Sequence, residues 1–277
     1  MNLHIMQTEE AQAEARHLAK VEKQLLSPRH GHAIIKPQED HVSGLYFFTK
    51  DGTYFSKSEA AALLYLVNIT ELPKPDGKNG TFSGKLLFSE LLPSDTNLKV
   101  RSRLGEEIVI KNGKLIKGAV ESKATEGELL ENMFVMHGPE VTKIFIDSVT
   151  RMALEALSLL GLSVSLKDYT LSPKGADKVK EITSKMDREI DNLIMQYKNK
   201  SLERAPGMSL RETLEGLIMG ITSQTREDVG KAVEVDLGLD NPSVIMAKIG
   251  ARGSMLNAIQ MSALVAQQTV RSKRITR

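Results

Sequence analysis

The chain has 277 residues, a formal net charge of +2 and no cysteine, which excludes disulfides and thiolate metal sites and leaves only oxygen and imidazole ligands for any metal. Hydrophobic residues at 41% and charged residues at 26% describe a folded chain rather than a disordered one, and at about 100–200 residues per domain the length suggests two domains. The near-balanced charge offers no argument for a nucleic-acid surface. The longest apolar runs, such as Ala60 to Val67, are too short to span a bilayer, and no charged-then-apolar signal opens the chain, so the expected location is the cytoplasm with no membrane partner.

In chain order, Thr8 to about Leu26 predicts a helix, with Glu9 and Glu10 placed where the N-terminal dipole favours them and Ser27-Pro28 as its stop. Between Arg29 and Tyr54 the short apolar runs Ala33-Ile34-Ile35 and Leu45-Tyr46-Phe47-Phe48 suit short strands and turns. Ser56-Lys-Ser-Glu59 is a capping box that opens a helix through about Val67. After a loop from Leu72 to Gly84, the segments 106–111 and 114–120 flank Asn112-Gly113 and predict a β-hairpin, because Asn-Gly tolerates the positive φ angles of a type I′ turn.

From about Thr125 the texture becomes helical. Pro139 suits a first helical position, and Val141, Phe145, Val149, Met152, Ala156 and Leu160 make one apolar face that stops at Gly161. A second helix, Lys174 to Lys198, spaces Val179, Ile182, Met186, Ile190, Leu193 and Tyr197 as the narrow seam of a helix hairpin. Ser209-Leu-Arg-Glu212 caps a third helix towards Val235, with Leu210, Leu214, Leu217, Ile218 and Ile221 inward. Asp240-Asn241-Pro242 breaks the chain before a short helix to about Ile249, a turn at Gly250-Ala-Arg-Gly-Ser254 and a last helix from Met255 to Val270. The fold class is therefore α+β: a mixed part with a β-hairpin over 1–130, then a mainly helical part with a long helix hairpin over 131–277.

No complete active site is legible. His30-Gly-His32 matches no helical metal motif, and no serine sits in a nucleophile elbow. The glycine turn has more to offer: two glycines free the backbone, Ser254 is placed to cap the next helix, and Arg252 beside that helix start would attract an anion, although a plain connection with an exposed arginine fits the composition as well. Asn257, Gln260, Gln267 and Gln268 could bridge backbones or touch a ligand, and the basic run Arg271 to Arg277 could approach phosphate or form a solvated tail.

Ordered along the chain are Met1-Asn-Leu-His-Ile-Met-Gln7, Thr8-Glu-Glu-Ala-Gln-Ala-Glu-Ala15, Leu26-Ser-Pro-Arg29, Gln38-Glu-Asp-His-Val-Ser-Gly-Leu-Tyr46, Asp147-Ser-Val-Thr-Arg151, Gly238-Leu-Asp-Asn241, Gly250-Ala-Arg-Gly-Ser-Met-Leu-Asn257, Gln260-Met261 and Gln267-Gln-Thr-Val-Arg271. Together these segments resemble the largest subunit of DNA-directed RNA polymerase, of the archaeal A-prime type. The resemblance implies that 1–130 is the pore module and 131–277 the funnel module around the secondary channel through which nucleoside triphosphates reach the active site. It implies that Lys231 and Arg252 face that channel and that Arg226, Asn257, Gln267 and Gln268 face the bridge helix. The implied partners are other polymerase subunits, template DNA, RNA, nucleoside triphosphates and cleavage factors at the funnel.

The resemblance also implies a division of labour. The acidic loop that holds catalytic magnesium in this family has no counterpart in the sequence, so magnesium is expected in the assembled enzyme and not on this chain, which alone is expected to be inactive. Met6 stands in place of a usual proline, and Lys167-Asp168 in place of a paired acidic dipeptide. The rival expectations are a helical scaffold or interaction protein derived from that subunit and, last, a small phosphate-ligand enzyme built on the glycine turn.

Overall fold

The computed structural model describes residues 2–271 and 273–275; Met1, Ser272, Thr276 and Arg277, and with them part of the expected basic run, lie outside the described residues. Two compact units divide the chain, one running to Leu162 and including Lys248–Arg252, the other covering Ser163–Ala247 and the chain from Gly253 onward.

In the first unit, α1 (Glu9–His17) is capped by Thr8, whose hydroxyl accepts from the Ala11 amide. It ends well before Leu26, because it buries no residue and the chain then turns so that Lys20 reaches Glu22 of a short 3-10 turn, Val21–Lys23, at 2.6 Å. The run at 45–48 is helical, not extended: α2 (Asp40–Thr49) buries Val42, Leu45, Tyr46 and Phe48, and a helix enclosed on most sides carries no polar face to betray its period. β1 (Tyr54–Phe55), α3 (Lys57–Tyr65), β2 (Phe82–Ser83) and α4 (Gly84–Ser89) follow, with β1 and β2 paired antiparallel. The Ser56 capping box forms as expected, the Ser56 amide donating to Glu59 Oε2 at 2.8 Å.

The hairpin is present as β4 (Glu107–Lys111) and β5 (Lys114–Lys117), with Asn112 and Gly113 at φ 48° and 70°. It belongs to a three-stranded sheet, since β3 (Leu98–Arg101) adds to the far edge of β4. After α5 (Ser122–Glu126) comes α6 (Glu128–Leu160), broken at Gly138 (φ 81°, ψ 176°) so that Pro139 opens its second part. Phe145, Val149, Met152 and Ala156 are buried there, while Val141 and Leu160, at the ends of the expected apolar face, are exposed. Gly161 ends the helix at φ 75°. α6 packs along α2, and Gly44 lets the two backbones meet: a Cβ there would lie 2.3 Å from the Ala153 carbonyl oxygen. That packing keeps α6 with the strands, so the compact unit runs past the composition shift near residue 130.

The second unit is built on α7 (Pro173–Lys198) and α8 (Leu210–Leu237), after a 3-10 turn at Leu166–Tyr169. Ile190, Leu193 and Tyr197 pack with Leu214 and Ile218, whereas Val179 and Ile182 pack with Val229 and Val233, which makes the pair an antiparallel hairpin on the expected seam. Leu217, expected inward, is exposed. α9 (Pro242–Lys248) starts at Asn241, whose side-chain oxygen accepts from the Ser243 amide at 3.0 Å. α10 (Met255–Ser262) stops short of Val270, and the remaining chain forms a small antiparallel pair, β6 (Thr269–Val270) with β7 (Lys273–Arg274). Among the described residues no helix is long and apolar enough to cross a membrane.

Candidate channel-facing residues

In the first unit the turn at 249–252 is seated between Arg103 and Ser122. Ile249 is fully buried and its carbonyl accepts from the Ser122 amide at 3.4 Å. Gly250 sits at φ 74°, and a Cβ on it would lie 2.4 Å from Ser122 Oγ and 2.9 Å from Arg103 Cζ. Arg252 leaves this seat exposed, with Nη1 3.5 Å from Glu39 Oε2. Its side chain is 66% exposed and that of Glu39 59%, so the pair is solvent-screened and the guanidinium stays available to another anion.

In the second unit Lys231 and Arg226 leave α8 about 140° apart around the helix axis and do not converge. Lys231 is exposed beside a groove shared with α7, 3.9 Å from Asp228. Three lysines (Lys174, Lys178, Lys231) meet four carboxylates (Asp177, Glu181, Asp228, Asp236) in that groove, so it has no positive excess of its own. Asp236 is engaged with the Ser172 amide, 2.8 Å away, and with the Ser172 hydroxyl.

Arg226 shares a small cavity of about 220 Å³ with Gln267: Met219, Thr222, Ser223 and Arg226 recur at helical spacing along α8 and face Ala266, Gln267 and Thr269. Gln267 and Gln268 spend their amides locally, Gln267 Nε2 donating to the Gln268 carbonyl at 2.9 Å and Gln268 Nε2 to the Val265 carbonyl at 3.2 Å. Arg226 and Gln267 are thus brought together, and Gln268 lies next along the same turn.

Asn257 is exposed on α10 and accepts from the Ser254 hydroxyl at 3.3 Å. Ser254 therefore does not cap α10 through its side chain, contrary to its position in the sequence. His32 turns to Glu131, 2.6 Å away, and stacks beside His30 at 4.9 Å between ring centroids. No group of three His, Asp or Glu side chains is arranged to hold a metal among the described residues. The partners that seat the 249–252 turn, Arg103 and Ser122, carried no signal in the sequence, because nothing local connects them to it.

The first unit is α+β and the second is built on a long antiparallel helix hairpin, and each carries part of this set of basic and amide side chains. Residues 24–169 match the family profile of RNA polymerase Rpb1, domain 3, and residues 194–277 that of RNA polymerase Rpb1, domain 4; the chain belongs to this family. It is 37% identical to the DNA-directed RNA polymerase subunit Rpo1N of Thermococcus celer, the match covering 100% of this chain and 35% of that protein. It is 39% identical to the Rpo1N subunit of Halobacterium salinarum over 100% of this chain and 29% of that one, and 38% identical to that of Methanocaldococcus jannaschii over 100% and 22%. The chain thus spans about a third or less of the length of these relatives.

Proposed function

We propose that the chain is the segment of the largest subunit of a DNA-directed RNA polymerase that walls the secondary channel, through which nucleoside triphosphates reach the active site during transcription. The observation that carries this reading is the order of the two Rpb1 domains along the chain, together with similarity to archaeal Rpo1N subunits over all of it. In this reading the pore module lies in the N-terminal part and the funnel module in the helical part. The segment works in the cytoplasm within the assembled enzyme, whose other subunits and segments hold magnesium, template DNA and RNA, and cleavage factors approach at the funnel.

Arg252 is the first residue assigned to the channel wall. A triphosphate with magnesium remains anionic, and an exposed guanidinium raises its local concentration without touching the reacting atoms. Lys231 is assigned to the same wall, though its own groove supplies compensating carboxylates. Arg226, Asn257, Gln267 and Gln268 are assigned to the surface that meets the bridge helix, with Arg226 and Gln267 acting as one patch.

The test is affinity capture of the tagged chain from its native cells, followed by nucleotide incorporation with and without Arg252→Ala. Polymerase subunits are expected in the capture, with KM for nucleoside triphosphates raised about two- to fivefold, the scale of an exposed charge contact, and kcat little changed. Capture without polymerase subunits would overturn the assembly; unchanged KM would remove Arg252 from the channel wall.

A further inference from the structure

Arg252 is exposed, yet the turn that carries it is seated on the buried Ile249 and Ser122 and on the half-exposed Arg103. We propose that Arg103 and Gly250 are positioning residues for Arg252, fixing the turn 249–252 so that the guanidinium is presented at one place; this inference rests on the proposed role of Arg252.

The seat is built from contacts within the first unit. Ile249 anchors one end by full burial and by the bond from the Ser122 amide. Gly250 lies against the Arg103 side chain so closely that a Cβ would approach Arg103 Nε and Cζ to 2.9 Å, and its φ of 74° is one that side-chain-bearing residues rarely adopt. Arg103 faces two carboxylates: its amide donates to Glu121 Oε1 at 3.1 Å, Nη2 donates to Glu126 Oε2 at 3.4 Å, and Nε lies 4.0 Å from Glu121 Oε2. Glu121 is only 1% exposed and also accepts from the Lys123 amide at 3.0 Å, while Glu126 is further held by Lys36 at 2.9 Å.

The charge balance separates Arg103 from Arg252. Two cations, Arg103 and Lys36, face two carboxylates, Glu121 and Glu126, so the cluster is neutral and adds no attraction for an anion. What Arg103 supplies is the Nε and Cζ end of its guanidinium packed against the glycine, a shape that a lysine does not reproduce. The part of the Arg252 effect that depends on where the guanidinium is presented is a direct hydrogen-bonded contact to a phosphate oxygen, which is geometric, unlike the diffuse field of the charge.

The experiment uses the assembled polymerase carrying Gly250→Ala, Arg103→Lys, Arg252→Ala or the double change Gly250→Ala with Arg252→Ala. Gly250→Ala and Arg103→Lys are expected to raise the nucleotide KM by the same two- to fivefold as Arg252→Ala, roughly the scale of one exposed charge contact, with kcat within about twofold. The double variant is expected to be no worse than Arg252→Ala alone, because both changes act through one side chain.

An unchanged KM in Gly250→Ala and Arg103→Lys, alongside a raised KM in Arg252→Ala, would overturn the positioning role and leave Arg252 in the channel. A further rise in the double variant would overturn it as well. If Arg252→Ala leaves KM unchanged, the channel reading fails instead, and amide hydrogen exchange over 250–253 decides the positioning: faster exchange in Gly250→Ala and Arg103→Lys supports it, unaltered exchange refutes it.

Discussion

The guanidinium of Arg274 forks onto the carboxylate of Glu215, Nε donating to Oε2 at 2.9 Å and Nη2 to Oε1 at 3.0 Å. This pair ties a basic stretch, readable in the sequence as a solvated tail, to the first turns of α8, and β7 pairs with β6 beside it. The Arg274 hydrogen bond holds the Glu215 carboxyl below its usual range. A bidentate pair depends on the planar fork. Arg274→Lys is therefore expected to speed amide exchange at Val270 and Lys273 and to expose Lys273 to trypsin, at a cost of about 0.5–1 kcal/mol for a partly exposed pair.

The Glu22 carboxyl is held low: the hydrogen bond from Lys20 is the largest cause, its own backbone and Lys143 add to it, and its pKa falls to about 2. A depressed folded-state pKa contributes stability that is present above the ordinary value of 4.5 and is lost as pH falls towards 2. The thermal midpoint of the first unit is expected to drop across that window, and Glu22→Gln should flatten the drop. Melting curves of both proteins between those pH values check it, and parallel curves would contradict the assignment.

Two glycines in helices predict opposite outcomes for the same substitution. Gly44→Ala drives a methyl into the Ala153 carbonyl where α2 meets α6, and overpacking of this kind costs about 1–3 kcal/mol. Gly216 in α8 has open space around it and an ordinary helical backbone, so Gly216→Ala is expected to stabilise by about 0.5–1 kcal/mol. Denaturant midpoints of the two variants against the parent provide the comparison.

Arg226→Ala and Lys231→Ala remove exposed side chains, Lys231 being paired only at 3.9 Å with Asp228. Both are expected to leave stability within about 0.5 kcal/mol of the parent. Any loss of nucleotide incorporation they cause then reports on the surfaces proposed for them and not on folding, a separation that thermal melting of each variant verifies.

What local chemistry encodes was legible residue by residue. Ser56 with Glu59 and Ser209 with Glu212 form capping boxes, Asn112-Gly113 turns the hairpin, Gly161 ends α6, and the seam from Val179 to Tyr197 packs against α8. The ordered segments along the chain pointed to the polymerase largest subunit before any contact was known, and the family profiles agree. Each of these signals lies within a few residues or along one helix face, where propensity and periodicity act directly.

Only the tertiary structure decided the rest. The run at 45–48 became a helix because α6 and the surrounding core bury α2 on most of its surface, which erases the polar face that periodicity needs. Ser254 turned to Asn257 instead of capping α10, and Arg274 found Glu215 instead of solvent. Arg103 and Gly250 meet across a long separation in sequence, and such a contact is specified by the packing of whole elements, not by the residues adjacent to either one.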